Sequence, residues 1–498
     1  MPTASFGTTN FIVLGVYLTF LVAMGAYFAT RSKTANDFFL AGGRMPWWAA
    51  GVSIFATMLS AITYLSIPAT AYETDWTRFL LNMGIVLIAP LVILFYLPFY
   101  RRLRVTSAYE YLEHRFHVSI RLLGSLSFIL FQLGRMGIVL LLPALALSAV
   151  TQLDLYLCIA LMGILSTIYT VLGGMEAVIW TDALQAVVLI GGALAALVII
   201  AHALPGGFAQ IIQDGVANDK FEFINPGIDL QSDSILVILI GMVFANLLPY
   251  TTDQAVVQRY MTTSTEQKAR RAIWTGALLA IPASILFFFL GTALFVFYLN
   301  APDQLVALEK ADQLFPWFIA NEMPPGLAGL VIAGVFAAAM SSLDSSMHAI
   351  STIVTVDFVQ RFRPERDWLS FARKLTILLG LLGTASALLM ASWDLGALWG
   401  AFLTLIGLFL GMLGGLFTLG IFTRNTTATH AWIGAMVSVA AIAYCTYATS
   451  LNSLLFGAIG TVVCVGVAWL SSLIVRQSPG DIEGLTVYSA PVPLTQQS

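Results

Sequence analysis

Charge is the scarcest thing in this chain. Only 10% of its 498 residues are Asp, Glu, Lys or Arg, against 59% hydrophobic. Soluble globular chains carry about 25% charged residues, so that class is excluded and the chain reads as all-α and polytopic in a membrane. Cysteine is almost missing. Cys158, Cys445 and Cys464 all lie in apolar runs, which excludes a disulfide framework and a thiolate metal site and leaves three small buried hydrophobes. The 5 histidines are scattered, and the sequence has no P-loop, no HExxH and no GxSxG. No catalytic constellation competes, and an enzyme is not expected. A formal net charge of −3 offers no basic surplus for nucleic acid. Met1 to Asn10 lacks a basic n-region and is followed by too long an apolar segment, so no cleavable signal peptide is expected.

What the chain has is long apolar runs. Thirteen segments are able to span a bilayer, at 8–29, 46–71, 79–100, 119–150, 153–173, 177–201, 232–252, 272–298, 324–358, 372–392, 396–422, 429–449 and 452–475. An odd number puts the termini on opposite sides. With the N-terminus outside, 19 of the 23 Lys and Arg residues fall in cytoplasmic connectors and helix ends, Arg259 among them. Only Arg78, Lys220 and Lys310 fall outside, with Arg135 inside a span, and this asymmetry favours that orientation.

The connector 100–116 (YRRLRVTSAYEYLEHRF) has an amphipathic helical pattern suited to the inner surface, with Glu110, Glu113 and Arg115 read as a solvated face. The external loop 203–231 is open to two readings, a lid or a plain connector. Residues 477–498 are polar and punctuated by proline, and a disordered cytoplasmic tail is expected. The remainder, 1–476, reads as one transmembrane domain. It comprises an extra first helix (8–29), two five-span repeats of opposite orientation (46–201 and 232–422) and two extra helices (429–475).

Each repeat opens on an irregular span. In the first, Gly51 to Pro68 (GVSIFATMLSAITYLSIP) places Ser53, Thr57, Ser60, Thr63 and Ser66 every three or four residues, a hydroxylated stripe in a weak helix. Carbonyls freed at bilayer depth must be satisfied by protein, water or an ion. The stripe fits either a cation site or a Ser/Thr packing face between helices. In the second, FANLLPYTTDQ (244–254) carries Asn246, Pro249 and Asp253. Interrupted spans at matching places in inverted halves point to a transporter with its site at the midplane.

Three formal charges are expected well inside spans, namely Arg135, Asp182 and Asp344, and such residues are functional candidates by default. Asp182 has two readings, a functional carboxylate or one paired with a hydroxyl or Trp180. Arg135 suits a forked contact with a protein carboxylate or with an anionic or polyhydroxylated substrate. Ala338, Ser341, Ser342 and Ser345 recur on one helical face beside Asp344. Facing the first broken span, that face has the hard oxygens a sodium ion requires. His348, four residues after Asp344, is either a packing residue or a proton-coupling partner.

The stretches DFFLAGGRMP, GVSIFATMLSAITYLSIPA, VTSAYEYLEHRF, FILFQLGRMGI, VIWTDALQ, FANLLPYTTDQAVVQRY and AAAMSSLDSS span residues 37 to 346. In combination they resemble the sodium:solute symporter family, and within it the bacterial sialic acid symporters. The resemblance implies the leucine-transporter fold of five plus five inverted repeats with about 13 transmembrane helices. It also implies sodium-coupled import of a small polar solute across the bacterial inner membrane, a sialic acid or related sugar acid first. A neutral sugar, amino acid or monocarboxylate is the alternative. A solute sensor and a membrane enzyme rank below these, and no obligate protein partner is implied. One implied sodium site uses the carbonyls of Ala56, Leu59 and Ala338 and the hydroxyls of Ser341 and Ser342. A second uses Asp182, Ser341, Asp344 and Ser345, with Asp344 standing where the sialic acid symporters have serine. Implied substrate contacts are Ser60, Thr63 and Arg135, which match, together with Met58, Asn82 and Arg78, which depart from the family's threonine, glutamine and aromatic residue.

Overall fold

The computed structural model describes residues 6–151, 153–305, 308, 311–364, 366–392 and 395–489, and among them every regular element is a helix. Those that position the site are α1 (Thr8–Ala29), α2 (Trp47–Met58), α3 (Ala61–Glu73), α4 (Phe79–Leu103), α5 (Val118–Thr151), α6 (Leu155–Ala203) and α7 (Ile235–Thr252). They continue with α8 (Gln254–Met261), α9 (Glu266–Asn300), α10 (Leu327–Ile353), α11 (Leu369–Met390), α12 (Leu395–Phe422), α13 (Ala428–Ala448) and α14 (Phe456–Ile474).

Ten helices among the described residues are long and apolar enough to cross a membrane, and the pair α2–α3, bent by 55°, makes an eleventh. The expected thirteen differ from this for local reasons. α6 runs unbroken in name over 49 residues, but Gly174 within it has φ 60° and ψ −153°, so the expected spans 153–173 and 177–201 meet at one kinked residue. Of α12, the described apolar part is Phe409–Phe422.

α10 is the axis of the bundle. Its sequence LAGLVIAGVFAAAMSSLDSSMHAISTI is small-residue rich all the way round, so no face is suited to lipid and nearly every side chain is buried. It packs on α1, α5, α6 and α11, while α9 supports both halves of the broken pair, α2 and α3. α12, α13 and α14 pack mainly on one another. Close helix approach depends on glycine here. A Cβ at Gly291 of α9 would stand 2.3 Å from the Pro68 carbonyl oxygen of α3.

Several sequence expectations need correction around the connector 100–116. The connector 100–116 does form a helix, Glu110–Arg115, but its polar side is not solvated. Arg115 is buried and donates to the carbonyls of Gly420, Thr423 and Thr426. Glu110 accepts from the Thr106 and Ser107 amides. Glu113 bridges Arg121 at 2.7 Å and Arg361 at 2.6 Å. Partial burial pushes the Glu113 carboxyl up, but the Arg361 and Arg121 guanidiniums prevail and hold it below the usual carboxylate range. Asp357, wholly buried just beyond α10, joins this network through Arg121, Ser107 and Ser125.

The tail is also more ordered than its composition suggests. Thr486 is buried, the Val487 amide donates to the Ile421 carbonyl, and Tyr111 donates to the Leu485 carbonyl. Residues 490–498 of that tail, and Lys310 of the external loops, lie outside the described residues. The 203–231 loop contains a helix, Gly207–Ala217, and closes on the C-terminal end of α3. There Lys220 donates to the Tyr72 and Thr74 carbonyls and Trp76 donates to the Glu222 carbonyl.

The kink at Gly174 yields a test. Its backbone lies where only glycine is at ease, and a Cβ there would come within 2.8 Å of the Phe38 carbonyl oxygen. Gly174→Ala should therefore lose at least about 1–3 kcal/mol, seen as a lower unfolding temperature of the purified protein. An unchanged temperature would mean the kink is not required.

Candidate functional site

The first broken span behaves as its sequence foretells. α2 ends with the Leu59 amide donating to the Phe55 carbonyl at 2.9 Å, and the next helical bond runs from the Tyr64 amide to the Ser60 carbonyl at 3.0 Å. Leu59 itself has φ −86° and ψ 83°, outside helical geometry. Ser60 caps α3 by accepting from the Thr63 amide, and its hydroxyl lies 3.0 Å from that of Thr63. The carbonyls between these two bonds, Ala56 and Leu59 among them, fall in the break. Ala56, Leu59 and Ala338 belong to one buried core, and α10 contacts both α2 and α3, so it does lie against the broken span.

Two cavities open on either side of the break, and Met58 lines both. The larger, about 300 Å³, holds Thr57, Ser60, Arg135 and Asp253 among walls that include Phe131, Phe244 and Leu410. The smaller, about 90 Å³, holds Thr63, Asn82, Asn246 and Ser284 among Phe55, Tyr250 and Phe287. The expected substrate residues are thus gathered around the break but divided between two chambers. Arg135 makes no hydrogen bond or ion pair among the described residues. Arg78 is not brought to either cavity. It is half-exposed and paired with Asp233 at 2.6 Å, at a separate cavity lined by Glu73, Asp75 and Glu222.

The Asp182 cluster is the largest departure. Ser341 and Ser53 donate to its two carboxylate oxygens, as the face on α10 requires. A further residue is present that the sequence reading placed at the cytoplasmic edge. Arg259 is fully buried, pairs with Asp182 at 2.9 Å, and donates to Ser345 at 2.7 Å and Ser53 at 2.8 Å. Asp344 accepts from Tyr169 at 2.6 Å and from Ser345 at 3.2 Å. Trp180 instead meets Trp48 edge-on. His348 does not join Asp344; its Nε2 lies 2.9 Å from the Phe38 carbonyl oxygen and its ring stacks on Phe38. Ser342 donates to the Ala338 carbonyl at 3.2 Å.

Arg259 was the residue missed, and Asp253, singled out in the second interruption, was given no role in the site. A signal was available: both stand in the second interrupted span, where the chain breaks at Asp253 (φ −80°, ψ 113°) and restarts as α8. A short helix after a break at bilayer depth turns its charges inward, because no lipid-facing backbone gap is tolerated there.

Known proteins resemble this chain over most of its length. Residues 38–438 match the sodium:solute symporter family. The chain is 41% identical over 476 residues to the sodium/sialic acid symporter NanT of Aliivibrio fischeri, covering 95% of this chain and 94% of that one. It is 42% identical over 471 residues to the sodium/sialic acid symporter SiaT of Proteus mirabilis, covering 93% and 95%. A solved substrate-bound, outward-open Na+-coupled sialic acid symporter superposes with a TM-score of 0.89 at 39% identity, over 96% of this chain and all of that one. Mhp1, a nucleobase-cation-symport-1 family transporter, shares the fold at 13% identity and a TM-score of 0.58, over 89% and 96%. The chain belongs to the sodium:solute symporter family.

Proposed function

We propose that this multi-pass membrane protein, a transporter and not an enzyme, imports a sugar acid by sodium symport with alternating access, and that N-acetylneuraminate is its substrate. The observation that carries this reading is Arg135. It stands midway along α5 in the larger cavity, beside Ser60 and Asp253, with no hydrogen bond or ion pair to protein among the described residues. A guanidinium at bilayer depth costs roughly 2.5–3.5 kcal/mol on insertion scales, and with its donors unbonded it calls for a partner that can accept from the fork. A solute carboxylate has the charge and the forked geometry to fill that place. A neutral sugar would leave the guanidinium with only the through-space attraction of Asp253. The likeness to two sialic acid symporters over nearly the whole chain supports the same choice.

Sodium is the co-transported ion. The first site consists of the Ala56, Leu59 and Ala338 carbonyls with the Ser341 and Ser342 hydroxyls, all hard oxygens on the broken span and on α10. Bridging those two elements fixes the broken span, and with it Ser60 and Thr63, before the solute arrives. Asp182, Ser341, Asp344 and Ser345 form the second site, where two carboxylates face the single Arg259 guanidinium. Each positive charge carried inward gains about 2.3 kcal/mol per 100 mV, so two sodium ions would accumulate solute far more steeply than one. Reading α6 as two spans and α12 as one completes thirteen spans, with the N-terminus outside, repeats at 46–201 and 232–422, and residence in the bacterial inner membrane. Met58 separates the two chambers, and as an unbranched, flexible side chain it can move aside for an elongated solute.

Three outcomes follow. Labelled N-acetylneuraminate should accumulate in proteoliposomes under an imposed sodium gradient, and uptake undiminished when choline replaces sodium would overturn the coupling. Ser342→Ala should raise the sodium concentration for half-maximal uptake by about tenfold, the factor that about 1.4 kcal/mol supplies; an unshifted sodium dependence would remove Ser342 from the site. Arg135→Ala should weaken N-acetylneuraminate binding by about a hundredfold, as expected for losing hydrogen bonds to a charged group. Retained affinity, measured calorimetrically on the folded variant, would remove Arg135 from the substrate cavity.

A further inference from the structure

Between the sodium-facing side of α10 and the cavity that holds Arg135 stands one fully buried amide, Gln132. It lies on α5 three residues before Arg135, on the same face of that helix. Its Oε1 accepts from the Ser346 hydroxyl at 2.9 Å. The same hydroxyl lies 2.9 Å from the Ser342 carbonyl oxygen. On its other side, Gln132 Nε2 lies 3.5 Å from Asp253 Oδ1. A carboxylate oxygen with no proton can only accept, so the amide nitrogen faces Asp253 and the orientation of the group follows. Asp253 also accepts from the Ala255 amide at 2.8 Å, which holds it at the start of α8, and it lines the cavity with Arg135.

The chain of contacts therefore runs from Ser342 through Ser346, Gln132 and Asp253 to the larger cavity. We infer that Gln132 is a positioning residue that transmits sodium binding at Ser342 to the Asp253–Arg135 end of the substrate cavity. The inference rests on the proposed sodium and substrate sites. Its physical basis is the length of the second contact. At 3.5 Å the bond to Asp253 is at the limit of hydrogen bonding, so a shift of a few tenths of an ångström decides whether it forms. Ordering Ser342 by a cation fixes the backbone that Ser346 reads one helical turn later. That draws Gln132 onto Asp253 and turns one carboxylate oxygen away from the solute carboxylate that Arg135 would hold. Like charges in one small cavity repel, so the tighter Gln132–Asp253 contact favours an acidic solute.

Coupling between two ligands is a ratio of affinities, and by linkage it is the same in both directions. The test is that ratio. The dissociation constant of N-acetylneuraminate is measured by calorimetry on the purified full-length protein, in sodium and in choline. Wild type should bind more tightly in sodium by a factor within roughly 5–150-fold. Gln132→Leu should bring the factor to within about twofold of one, as should Gln132→Glu, which keeps the acceptor for Ser346 but opposes Asp253 with a second carboxylate. The double variant Gln132→Glu with Asp253→Asn restores a donor–acceptor pair of reversed polarity, and should recover most of the factor. A general loss of structure would not be rescued this way. A wild-type ratio of one would overturn the sodium-coupled reading itself. A wild-type ratio well above one that survives in Gln132→Leu would overturn the relay and leave that reading standing.

Discussion

The ion pair of Arg259 with Asp182 is the interaction on which the rest of the interior depends. Neither side chain is exposed. Two charges taken out of water are offset only when geometry is good and the remaining donors and acceptors are satisfied. Here that is done by hydroxyls from separate elements: Ser53 from α2, and Ser341 and Ser345 from α10. The pair thus fastens α2, α6, α8 and α10 to one another at a single point. Removing Arg259 would strand Asp182, and with it Asp344, in a low-dielectric interior. Side chains that distant in sequence are held in one place by charge that cannot be left alone.

The bilayer imposes the same logic on the backbone. A helix interrupted at Leu59 and Ser60 leaves carbonyls without helical donors, and such a gap is tolerated only inside protein or beside a cavity. The break is accordingly enclosed by α9 and α10 and flanked by two cavities. The second interruption, at Asp253, opens on the larger of them. Polar groups needed for an ion and a solute are therefore concentrated where the helices fail, while the intact helices around them supply an apolar wall.

Where the short Glu110–Arg115 helix meets α5 and the end of α10, a second network replaces simple solvation. Arg121, buried among Glu113 and Asp357, joins the short Glu110–Arg115 helix to α5 and to the end of α10. Arg115 satisfies three carbonyls at the end of α12, and the 480s of the tail lie against the same helices. These arginines act as structural fasteners between connectors and helix ends. That is why counting them by sign gave no account of their burial.

The sequence by itself determined the membrane class, the helices, the position of the first break and the identity of most polar groups around it. These depend on local physics: apolar length, the spacing of Ser53, Thr57, Ser60 and Thr63, and the poor helix-forming character of that run. It also singled out Arg135, Asp182 and Asp344, because formal charge within an apolar span is rare enough to notice without a structure. Tertiary structure alone decided the partners. A helical period tells which residues share a face but not which helix stands opposite. So Arg259 moved from the cytoplasmic edge to Asp182, His348 from Asp344 to Phe38, and Arg78 from the substrate to Asp233. Each of these was settled by where a distant helix lies. That is a sum over many weak packing contacts, which no window of sequence contains.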